Sequence, residues 1–223
     1  MKLKQIRTER RRLADEVYDQ LLRAIQDNEI GKNERLVQER IAADLNISRT
    51  PVREALLRLE QDGILASSPR GGFLIHKINN DEVRELYQAR AAIEGQAVRI
   101  LAFRNEPDEN EKLRATIEEA EKIPTPSVEA YFDANRTIHR RIVELSRNRY
   151  LLEMFDNIWN RGTSFQLFAA IEKVDLSKSL GDHMTLAEAI ETGDPAHAGE
   201  VIIKHISDGF ELQIEALEKE YES

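Results

Sequence analysis

The sequence predicts a mainly α protein in two parts: three helices closed by a small β-hairpin, then an antiparallel bundle of about six or seven helices. Three observations predict it. Apolar residues recur at three- and four-residue steps over most of the chain, the spacing of one buried helix face. Two short apolar runs, at 64–66 and 73–76, flank a turn that carries Gly71-Gly72 and read as paired strands. The charge balance also changes after Lys77. Residues 1–77 hold 15 Lys+Arg against 12 Asp+Glu, net +3, whereas the remainder holds 17 against 29, net −12. A length of 223 residues suits two domains, 1–77 and 78–223.

Composition narrows the possible chemistry. With 41% hydrophobic and 33% charged residues the chain can bury a core without staples. Cys 0 excludes disulfides and thiolate metal sites, so a metal here needs His, carboxylate or amide ligands, and a reducing cytoplasm is expected. The basic start MKLKQIRTERRR is followed by no apolar stretch, and no run is long enough to span a bilayer, so neither secretion nor a membrane partner is expected. The net charge of −9 would argue against nucleic acid if spread evenly. Phosphate contacts need only a local basic surface, however, and the front part supplies one.

The elements follow in order. Leu13, Val17, Leu21, Leu22 and Ile25 line one face of a first helix over 13–30. A turn at 31–33 leads to a second helix over 38–45, ended by Asn46. A third follows Ser48, whose hydroxyl is expected to cap its amides; Pro51 suits the first turn, and Gly63 stops the helix after Asp62. The strands at 64–66 and 73–76 form a hairpin with Arg70 at its tip. After Lys77 the periodicity is helical throughout, with segments at 81–104, 108–122, 128–147, 150–172 (broken near Gly162), 178–192 and 195–221. Pro107, the Pro124-Thr125-Pro126 linker with Ser127 as cap, and Gly193-Asp194-Pro195 punctuate them.

Helix, tight turn, helix and hairpin over 38–76 make a winged helix-turn-helix, a unit that lays its second helix in a major groove while the wing leans on the adjoining backbone. Arg49 and Arg53 can each make bidentate contacts to guanine. Ser48, Thr50 and the helix amides can hold phosphate, with Arg70 and Gly71 serving the wing. Three arginines gathered on one motif read better as an operator-DNA interface than as solvated charges. For Arg35 and Arg58 the solvated-charge reading serves at least as well.

The run Ile47-Ser48-Arg49-Thr50-Pro51-Val52-Arg53-Glu54-Ala55-Leu56, with Leu59-Glu60 and Asp62-Gly63 after it, closely resembles the GntR family of bacterial regulators. Glu34-Arg35-Leu36 and Arg70-Gly71-Gly72-Phe73 extend the resemblance over 13–77. The one departure is Lys32-Asn33, where the family usually has Pro-Gly.

Five histidines are present, four of them in the acidic helical part, where His139, His183 and His205 fall at informative places. Asn135 and His139 are four apart and share a helix face, with Asp133 just before them. His183 opens the next-to-last helix and His205 lies midway along the last; these helices pair across 193–195, so the two imidazoles can meet. Three imidazoles and one oxygen without sulfur suit a divalent metal, zinc or nickel, with positions left open for a ligand. His76 and His197 read as ordinary hydrogen-bonded side chains.

The pattern is similar to the FCD domain of the FadR subgroup within the GntR family, through Arg90-Ala91-Ala92-Ile93-Glu94, residues 135–139, residues 183–194 and Lys204-His205-Ile206. The resemblance implies a ligand-sensing helical domain in which Asn135, His139, His183 and His205 hold a metal, with a small carboxylate effector, an organic or sugar acid, bound beside it. The family's Arg at the place of Arg90 further implies that Arg90 faces that effector; Arg161 is a weaker candidate, and for both an ordinary salt bridge serves as well. Many members carry Asp where this chain has Asn135, and a neutral ligand weakens the hold on a cation. The expected protein is a dimeric, metabolite-responsive transcriptional regulator. A metal hydrolase is the competing class, with Glu94 or Asp133 as base, but no His-Glu-x-x-His occurs. A protein-interaction or DNA-architectural module that senses nothing is a third.

Overall fold

In the computed structural model, residues 9–26, 29–31, 33–159, 164, 180 and 183–222 are described. The chain forms two compact units, Met1–Lys77 and Ile78–Ser223.

In the first unit α1 (Glu9–Gln26) packs against α3 (Arg49–Gln61), and α2 (Gln38–Asp44) also packs on α3. Val17, Leu21 and Ile25 of α1 meet Val52, Leu56 and Leu59 of α3 in a single buried cluster. The 3.6-residue periodicity of both helices produces this seam, because each has one apolar face and can bury only that face. The turn between α2 and α3 closes on Asn46, whose φ of 51° is left-handed; Asn46 N bonds Ala43 O and Ile47 N bonds Ala42 O. Ser48 occupies the N-cap of α3 in extended backbone but makes no capping bond, contrary to expectation. The reason lies three residues on: Pro51 has no N–H for the hydroxyl to cap. Gln38 of α2 ties the two helices instead, donating from Nε2 to Arg49 O at 3.1 Å.

After Gly63 (φ 73°) the chain enters β1 (Leu65–Ser67), paired antiparallel with β2 (Phe73–Ile75) in the register Leu65↔Ile75, Ala66↔Leu74, Ser67↔Phe73. Leu36 extends the sheet, exchanging both backbone bonds with Phe73 at 2.8 and 2.9 Å. This pairing brings Gly72 so close that a Cβ there would lie 2.5 Å from Leu36 O; Gly71, by contrast, has open space around it.

The second unit is helical throughout its described residues. α4 (Asn80–Arg104) starts at a capping box: Asn79 Oδ1 accepts from the amides of Asp81 and Glu82, and Glu82 Oε2 from that of Asn79. It ends at Asn105 in the left-handed region, and Pro107 opens α5 (Pro107–Ala120). Ser127 caps α6 (Val128–Leu145) at Ala130 N, as its place before the apolar run predicts. Arg147 (φ 59°) breaks the chain into α7 (Arg149–Trp159), which Asn148 caps. The helix expected over 150–172 can be followed only to Trp159, and the start of the one expected over 178–192 lies outside the described residues. α8 (His183–Glu191) turns at Gly193, and Asp194 caps α9 (Pro195–Glu222) through the amides of Ala196 and His197.

α4 and α9 pack together along much of their length, with α6, α7 and α8 against α4. Val98, Leu101, Ile138, Ile142, Ile190 and Ile202 fill the core between them. Two ion clusters lock the surrounding helices. Arg104 donates to the last carbonyls of α6, Leu145 O and Ser146 O, and pairs with Glu106 and the buried Glu109, which Arg147 also reaches. Arg114 of α5 grips Glu191 of α8 through two bonds of 2.5 and 2.6 Å.

The wing geometry makes a comparative prediction. Gly71→Ala costs about 1 kcal/mol for its left-handed backbone alone, whereas Gly72→Ala meets a carbonyl oxygen as well. Calorimetry of the intact protein is expected to show the larger loss for Gly72→Ala; equal losses would mean that the wing does not depend on its close approach to Leu36.

Candidate nucleic-acid interface and metal centre

The buried residues of α3 leave Arg49, Thr50 and Arg53 exposed on the other side, with the Ser48 side chain just before them. All four expected groups are thus accessible near one helix N-terminus. Arg49 is lightly held, Nη1 lying 3.3 Å from Glu39 Oε1 with both side chains about two-thirds exposed. Such a pair contributes little and can exchange for a phosphate or a base edge. At the wing, Arg70 and Gly71 are exposed, and their carbonyls are gripped from below by Arg35, whose Nη1 donates to Arg70 O at 2.6 Å. Arg35 therefore shapes the wing tip, a role that only the folded hairpin reveals. Arg58 faces the other way, paired with Asp15 at 2.9 Å and stacked over Tyr18 of α1.

In the helical unit, α6, α8 and α9 deliver His139, His183 and His205 to one point, each offering a nitrogen within 4.8 Å of the others. His139 and His183 are fully buried. Nε2 of His139 and Nε2 of His205 approach to 3.2 Å. Two ligands at 2.0–2.1 Å from one tetrahedral zinc ion would stand about 3.3 Å apart. Nε2 of His183 is buried with no hydrogen-bond partner, an orphan that a cation would satisfy. Asn135 is buried one helical turn before His139, while Asp133 points outward and is exposed. The donor set therefore fits a borderline divalent ion, and Asp133 is removed as a candidate base.

The electrostatics suit ligand duty. Burial pushes His139 down to about 4 even though Glu94 opposes it, and burial, aided by His139 and His183, pushes His205 down to about 2. Both imidazoles are thus neutral near pH 7, the form that binds metal. Burial would raise the Glu94 carboxyl, but the guanidinium of Arg90 and then His139 outweigh it and hold the group ionised. Glu94 accepts from Arg90 Nε at 2.9 Å on one oxygen and meets His139 Nδ1 at 2.5 Å on the other. Arg90 itself lies over the rings of Tyr87 and Trp159, at 5.0 and 4.6 Å. Trp159 also stacks on His139, with ring centroids 5.8 Å apart. The sequence singled out Glu94 only as an alternative base and missed Glu121, whose Oε1 lies 3.3 Å from His183 Nδ1, and Trp159. Arg161 lies outside the described residues.

A depressed histidine makes stability depend on pH in a definite direction. Below its ordinary value near 6.5 the unfolded chain takes up a proton on His139 that the folded chain refuses until about pH 4, so stability present above 6.5 is lost as the pH falls through that window. The melting temperature of the metal-free protein is expected to drop between pH 7 and pH 4.5, and less so in His139→Gln. A flat profile over that range would contradict the burial described above.

Comparison with known proteins agrees with this architecture. The family model for bacterial regulatory proteins of the gntR family matches residues 13–75, and that for the FCD domain matches residues 85–208. The chain is 30% identical over 184 residues to the "Nta operon transcriptional regulator" of Aminobacter aminovorans, covering 82% of this chain and 86% of that protein. It is 28% identical over 205 residues to the "Probable D-xylose utilization operon transcriptional repressor" of Paenarthrobacter nicotinovorans, covering 90% and 88%. Its fold is similar to that of the solved E. coli McbR/YncC, with a TM-score of 0.64 at 20% identity over 91% of this chain and 97% of that one. Among the described residues no helix is long and apolar enough to cross a membrane. A winged helix-turn-helix followed by an FCD domain, matched over both parts, makes this chain a member of the GntR family of bacterial transcriptional regulators, not an enzyme.

Proposed function

We propose that the protein is a homodimeric, metabolite-responsive repressor whose helical unit, residues 78–223, binds a divalent metal and a small carboxylate effector, an organic or sugar acid. The observation that carries this reading is the convergence of three imidazoles from three helices, with one buried nitrogen left without a partner. His139, His183 and His205, with the Asn135 amide, are the ligands, and zinc or nickel matches their borderline character. A bound ion supplies a Lewis acid with open positions for a carboxylate oxygen. Arg90, largely buried beside the centre, is the cation that orients the effector, with Arg161 as a second. Because the ligands sit on α6, α8 and α9, occupancy ties together helices that are otherwise joined by side-chain packing. The family's operator-binding role falls to residues 1–77. Ser48, Arg49, Thr50 and Arg53 read the major groove, and Arg70 and Gly71 rest on the adjoining backbone. A dimer follows from paired half-sites, and the repressor named among the relatives supports the sign of regulation.

Two experiments test the two halves. Arg49→Ala and Arg53→Ala should each weaken binding to the promoter beside the protein's own gene by about 1–3 kcal/mol at fixed salt, and footprints unchanged in both would refute the interface. Zn²⁺ or Ni²⁺ added to chelator-stripped protein should raise its melting temperature and change the emission of Trp159, the single tryptophan of the chain, which stacks on His139. His183→Ala should abolish both responses. A wild-type protein indifferent to both ions would remove the metal from this account.

A further inference from the structure

A metal-binding imidazole is useful only if its free lone pair points at the ion, and that depends on which ring nitrogen carries the proton. In this protein the outer nitrogens of two histidines face carboxylates. His139 turns Nδ1 to Glu94 Oε2 at 2.5 Å, and His183 turns Nδ1 to Glu121 Oε1 at 3.3 Å. The carboxylate oxygens accept, so the proton belongs on Nδ1 in both rings and the lone pair on Nε2. Those Nε2 atoms are the ones at the centre: that of His139 lies 3.2 Å from His205, and that of His183 is the buried orphan. Neither carboxylate is free to drift. Glu94 is fully buried and held on its other oxygen by Arg90. Glu121 closes α5, and α5 is clamped to α8, the helix of His183, by the Arg114–Glu191 pair.

We propose that Glu94 and Glu121 are positioning residues of the metal centre, each fixing the Nδ1–H tautomer of one histidine so that two Nε2 lone pairs converge on the same ion. The assignment rests on the metal reading given above and extends it to two residues outside the ligand set. Its consequence is a centre assembled before the ion arrives, since neither ring has to exchange its proton on binding. Removal of such outer carboxylates generally costs 10–100-fold in metal affinity.

Long-range ¹H–¹⁵N correlation spectra of the histidines in the intact, metal-free protein test this, together with calorimetric titration of Zn²⁺ alone. In the wild type both His139 and His183 should show the Nδ1–H tautomer. Glu94→Ala and Glu121→Ala should each move the corresponding ring towards Nε2–H and weaken Zn²⁺ binding by about 10–100-fold. Glu121→Gln, whose amide oxygen can still accept from Nδ1–H, should retain the His183 tautomer and most of the affinity, a rescue that mere packing loss would not show. Wild-type rings protonated on Nε2, or unaltered tautomers and Zn²⁺ affinity in both alanine variants, would overturn the proposal. If Glu94→Ala fails to fold because Arg90 loses its partner, Glu121→Ala decides by the same readouts, its side chain being one-third exposed. A wild type that binds no Zn²⁺ would defeat the metal reading, whereas the tautomers are read without any ion and judge this assignment separately.

Discussion

A fully buried carboxylate, Glu94, sits in the core of the helical unit between a guanidinium and an imidazole, and much of that unit is arranged around keeping it satisfied. Removing a carboxylate from water costs several kcal/mol even after relaxation, and the cost is offset only where partners saturate both oxygens. Arg90 supplies one partner from the same helix, four residues away. His139 supplies the other from α6. The guanidinium cannot retreat to solvent either, so the rings of Tyr87 and Trp159 cover its faces. The charge cluster therefore dictates where α4, α6 and α7 stand relative to one another, and the apolar residues around it complete the packing.

The histidines inherit this setting. Burial keeps the His139 and His205 imidazoles neutral, and a buried ring nitrogen left without a partner is a deficit that packing alone cannot repair. The orphaned nitrogen of His183 measures that deficit. Structural histidines normally close their hydrogen bonds within the protein; a site that leaves one open keeps stability in reserve for something that binds. The metal and effector of the proposed function would draw on that reserve, and the Arg114–Glu191 clamp keeps α8 in place meanwhile.

The winged helix-turn-helix follows the opposite logic. The side chains proposed to meet DNA are exposed and weakly paired, Arg49 with Glu39 being the example, which suits groups that would exchange such a partner for a phosphate or a base edge. What is rigid there is backbone: the left-handed turn at Asn46 that sets the angle between α2 and α3, and the close approach of Gly72 to Leu36 that seats the wing.

Much of this was legible in the sequence by itself. Periodicity, caps and glycine punctuation located the helices among the described residues to within a few residues, because those signals arise from local backbone chemistry. The run around Arg49 and Arg53 and the four-residue step from Asn135 to His139 were visible for the same reason, each lying within one helix. The sequence misjudged the Ser48 cap, although Pro51 stood in plain view as the missing donor, and it left Arg35 between a surface charge and a DNA contact without seeing its hold on the wing. The family resemblance implied one centre for His139 and His205; only the tertiary structure decided that their Nε2 atoms meet across 66 residues, that Glu94 and Glu121 lie behind two of the three histidines, and that Trp159 stacks on His139. Local periodicity determines which face of a helix is buried; what that face meets depends on how distant helices pack, and no spacing along the chain encodes it.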